Sequence, residues 1–150
     1  MGNIFNDDFK DFIHALNTYE VEYVLVGGYA VILHGYRRTT GDMDIWVNTT
    51  LDNLNKLKKA FLGFGLPTND LTDEKFLHDN SVDVFTYGRS PVSIDVMKAV
   101  KGLQFNEAFN SSDIYIEDGL QIRFINYEQL IKAKESSGRH KDMDDIEKLK

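Results

Sequence analysis

The stretch VEYVLVGG is the part of the sequence that most constrains the fold. Its largely apolar run, Val21 to Val26, is typical of a strand buried within a sheet. Gly27 and Gly28 follow directly and predict a tight turn at the end of that strand. Helices and strands alternate around it and hairpins follow. This order predicts an α/β or α+β domain, a mixed β-sheet with helices packed on it.

The other elements follow from apolar spacing, capping residues and turn residues. The pattern predicts helices at 7–18, 30–35, 51–65, 105–109, 126–136 and 142–150, and strands at 42–47, 81–87, 91–97, 114–116 and 121–125. We expect Asn6 or Asp7 to cap the first helix, and Gly63 with Gly65 to end the third. Asp142 is expected to cap the last helix.

Composition limits the class of protein. The chain has 150 residues, 42% of them hydrophobic, enough for a proper core in a single domain over 1–150. Seventeen basic against 24 acidic residues give a net charge of −7, which argues against a broad nucleic-acid-binding surface. Without cysteine, the chain has no disulfide framework, thiolate zinc site or cysteine nucleophile. No apolar run approaches the ~18 residues of a membrane span, so we expect a cytoplasmic protein without membrane contact.

Two aspartates in DMDIWV need a physical explanation. Side chains alternate along a strand, so Asp42 and Asp44 share one face with Trp46. Two residues along a strand span about 6.6 Å, and two negative charges at that distance repel by roughly 2.5 kcal/mol at an effective dielectric constant near 20. Such a pair needs a cation or open water, and oxygen ligands suit magnesium. The alternative is a strand whose outer face is simply solvated.

A further acid, Asp95, alternates with Ile94 and Val96 in PVSIDVM. An acid between branched apolar residues of a strand points away from their core face. Asp83 in SVDVFTY is its competitor. With a hairpin loop at 88–91, the expected register pairs Asp95 with Val84 and Asp83 with Val96. This places the two acids on opposite faces, and a one-residue slip would reverse it.

Groups that could bind an anion surround the first acidic pair. Gly27 and Gly28 let backbone amides approach an anion, although a plain tight turn would need them as well. Arg37 and Arg38 precede the acids, where a guanidinium could bind phosphate in a forked geometry. A solvated loop explains these two arginines about as well.

Two aromatic side chains near the acids have ordinary explanations. We expect His34, on a short apolar helix, to be a packing histidine rather than a catalyst. Trp46 could stack on a nucleobase or could cover the edge of the sheet.

The combination of these motifs resembles the DNA polymerase β-like nucleotidyltransferase superfamily. Its motif is a strand, Gly-Gly or Gly-Ser, a spacer, and Asp-x-Asp or Asp-x-Glu in the next strand. In VGGYAVILHGYRRTTGDMDIWV, thirteen residues separate the glycines from Asp42. SIDVM supplies the lone later carboxylate. The stretches GLQFNEAF and LIKAKESSGRHKDMDDIEKL further resemble small stand-alone bacterial members, including those related to abortive-infection and toxin–antitoxin nucleotidyltransferases.

This resemblance implies a role for each matching residue. Asp42 and Asp44 would hold two magnesium ions, and Asp95 would complete one metal site and act as the base. The two glycines would lie against the triphosphate. Lys134, just before the SGR turn, would approach the phosphates, although a lysine on an exposed helix is as often a solvated residue. The last helix would pack through Met143, Ile146 and Leu149.

Three functions remain open from the sequence. The leading hypothesis is a magnesium-dependent nucleotidyltransferase that moves a nucleoside monophosphate from a nucleoside triphosphate (NTP) onto a hydroxyl. The acceptor would be a tRNA end, a protein, or a small molecule such as an antibiotic. The second is a catalytically silent nucleotide-binding or regulatory module, such as a toxin–antitoxin component. A sugar-nucleotide glycosyltransferase ranks last, because its Asp-x-Asp generally follows a longer nucleotide-binding half. The short chain predicts a helical partner protein or a homo-oligomer.

Overall fold

The computed structural model describes residues 4–36, 38–89 and 92–149, which form a mixed six-stranded sheet with helices on both faces. The helices are α1 (Asp7–Thr18), α2 (Gly27–Leu33), α3 (Leu51–Phe64), a π-helical turn (Glu74–His78), α4 (Phe105–Asn110), α5 (Tyr127–Ser137) and α6 (His140–Leu149). The strands are β1 (Tyr23–Val26), β2 (Met43–Val47), β3 (Val84–Arg89), β4 (Val92–Met97), β5 (Asp113–Glu117) and β6 (Leu120–Phe124). The predicted α/β class with a mixed sheet is confirmed.

The strand order places β2 and β1 at the centre of the sheet. The order is β3-β4-β2-β1-β6-β5. Strand β1 runs antiparallel to β2 and parallel to β6, whereas β2 runs parallel to β4. The hairpins β3/β4 and β5/β6 are antiparallel and form the two flanks. Residues of β2 therefore have hydrogen-bonded neighbours on both sides.

Two hydrophobic cores explain why the first strand is so apolar. Leu25 of β1 belongs to the core that contains α1 and α3 residues such as Phe12 and Leu57. Val24, its neighbour along the strand, belongs to the core that contains Leu130 of α5. Because successive side chains of a strand point to opposite faces, a strand between two helical layers must be apolar at every position.

Local signals fix several helix ends. Asn6 caps α1 by accepting a hydrogen bond from the backbone N–H of Phe9 at 2.8 Å, which selects one of the two predicted caps. Gly65 ends α3 in the left-handed conformation with φ of 99°, as a C-terminal glycine commonly does. Gly63, by contrast, lies inside α3, so its predicted role as a terminator is wrong.

Three other predictions need correction. Gly27 and Gly28 form the start of α2 rather than a separate turn. In the β3/β4 hairpin Asp95 lies opposite Thr86 rather than Val84, a two-residue shift that leaves the faces unchanged. Helix α6 begins at His140, so Asp142 lies within the helix and does not cap it.

Candidate active site

Two of the three predicted carboxylates are neighbours on adjacent parallel strands. Asp44 of β2 is the register partner of Asp95 of β4. Each alternates with apolar residues that are buried, among them Ile45 and Val96. The sequence predicts this orientation for each strand separately, but the parallel pairing of β2 with β4 is what brings the two acids side by side. Asp83, the competing acid, is exposed and precedes β3.

The electrostatics of this pair are unfavourable in the absence of a cation. Burial raises the pKa of Asp44 from 3.8 to about 7, assisted by the negative charge of Asp95, by a hydrogen bond between the two carboxyl groups and by the charge of Asp42, against the opposing influence of Lys134. One oxygen of Asp95, Oδ1, is buried and accepts no hydrogen bond. Buried carboxylate oxygens normally have partners, so this one is available to a ligand.

Asp42, the third predicted acid, is hydrogen-bonded to a residue of β4. It directly precedes β2, and its Oδ1 accepts a hydrogen bond of 2.8 Å from the hydroxyl of Ser93. Across the described residues, no three His, Cys, Asp or Glu side chains form a ready metal-binding cluster. The described part of the molecule therefore contains an adjacent carboxylate pair with a third acid nearby, rather than a closed set of three ligands.

The double glycine allows the first turn of α2 to lie against the acids. Gly27 has φ of 70°, and a β-carbon there would collide with the carboxylate of Asp44. A β-carbon at Gly28 would collide with Thr40 and crowd the guanidinium of Arg38. Gly27 thus needs both the left-handed backbone and the missing side chain. Both predicted glycines lie next to predicted site residues.

A cavity of about 180 Å³ opens beside Asp44. Val26, Met97, Val100 and Leu130 contribute to its apolar wall, and a polar side carries Asp44, Lys134, Ser137, Arg139 and Asp142. A larger groove of about 660 Å³ lies beside α1 and β6 and contains none of the predicted site residues. Ligand sites combine an apolar wall with a few convergent polar groups, which favours the smaller cavity.

Lys134 is buried in an ion-pair cluster, so the solvated helix face considered for it is wrong. It is 6% exposed. Its ammonium lies 2.9 Å from Asp142 and 3.2 Å from Asp145, both on α6. Burial alone would raise the pKa of Asp142, but hydrogen bonds from Arg139, Ser137 and Lys134 lower it to about 2. These contacts fasten α6 to α5.

Arg38 joins the same cluster from the loop before β2. Its side chain is 12% exposed, and its Nε lies 3.4 Å from Asp145 Oδ1. The solvated loop considered for this arginine is therefore wrong. Its Nε and Nη2 are buried without a hydrogen-bond partner of good geometry. The other predicted arginine, Arg37, lies outside the described residues.

The structure also decides three lesser predictions. The ring Nε2 of His34 lies 2.8 Å from the backbone oxygen of Ile125, consistent with a packing histidine. Trp46 is buried edge-on against Phe105 in an interior strand, so neither base stacking nor cover of a sheet edge applies. Met143 is 51% exposed, so its predicted inward packing is wrong.

Sequence reasoning missed the acids that hold Lys134. Asp142 and Asp145 are spaced three apart on α6 and lie next to the apolar Ile146, and all three are buried. Residues three apart share a helix face. The sequence therefore did contain a signal: Asp142 and Asp145 lie on the apolar face of α6, which indicates that a cation is buried against them.

The sequence of the chain matches a known protein family over most of its length. A model of the family described as "Nucleotidyltransferase of unknown function (DUF6036)" matches residues 7–150. The chain belongs to this family. The protein is therefore nucleotidyltransferase-like. The function of the family is unknown, so neither the substrate nor the acceptor follows from this match. No curated protein matches the chain.

Two solved structures have a fold similar to that of this chain. One is a candidate nucleotidyltransferase from Thermotoga maritima, with a TM-score of 0.58, 13% identity, and coverage of 93% of this chain and 88% of that chain. The other is an antigenic nucleotidyltransferase-like protein from Paracoccidioides brasiliensis, with a TM-score of 0.57, 13% identity, and coverage of 93% and 72%. At this identity the likeness establishes a nucleotidyltransferase-like fold.

No helix within the described ranges is long and apolar enough to cross a membrane.

Proposed function

We propose that this protein is a magnesium-dependent nucleotidyltransferase that transfers a nucleoside monophosphate from an NTP to a hydroxyl group of an acceptor. The observation that carries the proposal is the adjacent pair of Asp44 and Asp95, with the buried, unpartnered Oδ1 of Asp95 and the cavity beside Asp44. Membership of the DUF6036 family supports the reaction class.

The donor set fits magnesium. Hard carboxylate oxygens are its preferred ligands, and proteins usually supply only one or two of them, with substrate phosphates completing the shell. Asp44 and Asp95 would hold an ion, and Asp42 would contribute if its carboxylate turned from Ser93, which would allow the two ions expected for this superfamily. Bound magnesium would neutralise charge on the phosphates and on the attacking and leaving oxygens.

The chain's own residues would orient the reactants. Gly27 leaves room for the carboxylate of Asp44 because it has no side chain, and the cavity would hold the part of the nucleotide that lies next to that carboxylate. The acceptor hydroxyl oxygen forms a bond to the α-phosphorus, the bond to the bridging oxygen breaks, and pyrophosphate leaves. Asp95 would take the hydroxyl proton. Such transfer depends on positioning and charge neutralisation more than on covalent protein chemistry.

The acceptor is proposed by class only. A tRNA end, a protein hydroxyl, or a small molecule such as an antibiotic each offers a suitable hydroxyl. A helical partner protein or a second copy of the chain would supply the acceptor-binding surface, as in a toxin–antitoxin pair.

A second candidate function is a silent nucleotide-binding module. It is favoured by the absence of a ready three-ligand metal cluster among the described residues. Such a module would bind an NTP without releasing pyrophosphate, and binding would survive Asp44→Asn.

The test of the main proposal is transfer of label to an acceptor. Purified protein is incubated with Mg²⁺, a cell extract and each of four labelled NTPs. We expect Asp44→Asn to reduce transfer by about 1000-fold or more, because metal assistance is worth several kcal/mol. Asp83→Asn removes an equal charge from an exposed position outside the site and should behave as wild type. Equal labelling by wild type and Asp44→Asn, or none by wild type, would rule the proposal out.

A further inference from the structure

We infer that Arg139 contacts the polyphosphate of the nucleotide, whereas Lys134 is a positioning residue that orders α6. This inference rests on the proposed function and assigns the phosphate-contacting cation within it. It departs from the sequence-based expectation, which gave the phosphate-binding role in this stretch to Lys134.

The ammonium of Lys134 is already occupied by two carboxylates. It lies within 3.2 Å of both Asp142 and Asp145, each of which is 1% exposed. Taking Lys134 away from them would leave two buried acids short of a counter-charge, and a buried charge without its partner is costly. A substrate phosphate would thus compete against an arrangement that holds the fold together.

Arg139 lines the same cavity as Lys134 but, unlike Lys134, is largely exposed to solvent. Its side chain is 70% exposed, and its Nε lies 2.6 Å from Asp142 Oδ2. Nη2 lies 3.3 Å from the other oxygen of that carboxylate. This forked contact uses one edge of the guanidinium and fixes its direction, so its remaining N–H groups are open to a ligand.

The position of Arg139 is suited to an anion that approaches the acids. Arg139 and Asp44 both line the cavity. The hydrogen bond that Arg139 donates to Asp142 raises the pKa of Arg139, and the negative charge of Asp44 adds to this effect. The cluster contains three cations, Arg38, Lys134 and Arg139, against two acids of α6, Asp142 and Asp145. Arg139 is the most exposed of these cations, and therefore the one best placed to meet a polyphosphate.

The matched control is Lys141, an exposed residue at the start of α6, two positions after Arg139, that does not line the cavity. Its replacement by alanine removes the same charge. Binding of the four NTPs and of inorganic tripolyphosphate, each with Mg²⁺, is measured by calorimetry for wild type, Arg139→Ala, Arg139→Lys and Lys141→Ala. Unfolding midpoints without ligand show that each variant is folded.

We expect Arg139→Ala to weaken binding of tripolyphosphate and of the preferred NTP by about 10- to 100-fold, the usual worth of charge-assisted hydrogen bonds. Arg139→Lys should recover part of this loss, and Lys141→Ala should bind within about 2-fold of wild type. Equal binding by the wild type and Arg139→Ala would overturn the inference and leave the proposed function standing. Weakened binding without label transfer by the wild type would support the inference and remove the proposed function. No binding by the wild type would overturn both.

Discussion

Two groups of charged side chains meet at one cavity, and they are organised in opposite ways. On the α5/α6 side, Lys134 lies between Asp142 and Asp145, so buried charges of opposite sign are paired. On the sheet side, Asp44 lies beside Asp95, so charges of the same sign are adjacent. The first arrangement stabilises the fold, whereas the second destabilises it unless a cation binds.

The two sides also respond to pH in opposite directions. The pKa of Asp142 is lowered to about 2, so its contribution to stability is present above pH 3.8 and lost as the pH falls towards 2. The pKa of Asp44 is raised to about 7, so its carboxyl costs stability as the pH rises from 3.8 through 7. Carboxylates with strongly shifted pKa values cluster at functional sites, which supports the proposal that the chemistry takes place on the sheet side.

The largest expected effect comes from breaking the paired side. Lys134→Ala should lower the free energy of unfolding by about 3 to 5 kcal/mol, because it leaves buried acids without their counter-charge. Denaturant unfolding measures the loss. Lys141→Ala should cost less than about 0.5 kcal/mol. If the two variants lost the same stability, the cluster would not hold the two helices together.

A smaller loss of stability should come from adding a side chain at Gly27, next to the Asp44/Asp95 pair. Gly27→Ala should cost about 2 to 4 kcal/mol, because it combines a left-handed backbone with a collision against Asp44. Gly138 has a nearly equal φ of 66°, against 70° at Gly27, with nothing within 4 Å, so Gly138→Ala should cost about 1 kcal/mol.

The difference between these two glycine variants isolates the contact. The extra stability cost of Gly27→Ala should be smaller when Asp44 is also replaced by alanine, because Asp44→Ala removes the carboxylate with which the new β-carbon collides. An unchanged difference in the double variant would mean that the cost arises elsewhere in α2.

The smallest of these effects has the opposite sign. Asp44→Asn should raise the free energy of unfolding by about 1 to 3 kcal/mol at about pH 8, because it removes a carboxylate that is unfavourable when ionised. The gain should vanish near pH 3, where the acid is protonated in both the folded and the unfolded state. A variant that is less stable than wild type at the higher pH would contradict the raised pKa of Asp44.

Local patterns in the sequence predicted much of the fold. Asn6 and Gly65 mark helix ends through their own chemistry, and alternation placed Asp44 and Asp95 on the opposite face from their apolar neighbours Ile45 and Val96. The side-by-side placement of these acids depends on the β2/β4 pairing, which joins segments about fifty residues apart in sequence. Local patterns do not contain such pairings.

The burial of certain polar and aromatic side chains was the other feature that local sequence patterns did not predict. Lys134 follows the pattern of an exposed helix residue, and only the packing of α6 against α5 buries it. Trp46 looked available because it shares a face with the acids, but α4 covers that part of the face with Phe105. In both cases an element distant in sequence decides whether the side chain meets solvent.

The most direct test is the effect of Mg²⁺ and the preferred NTP on stability at about pH 8, which lies above the raised pKa of Asp44 of about 7. Ligands that bind only the folded state raise the free energy of unfolding. We predict that wild type and Asp83→Asn gain stability when Mg²⁺ and nucleotide are added together, whereas Asp44→Asn and Asp95→Asn gain little. Equal gains in all four proteins, or no gain in wild type, would contradict the claim that the adjacent carboxylates form a cation-dependent nucleotide site.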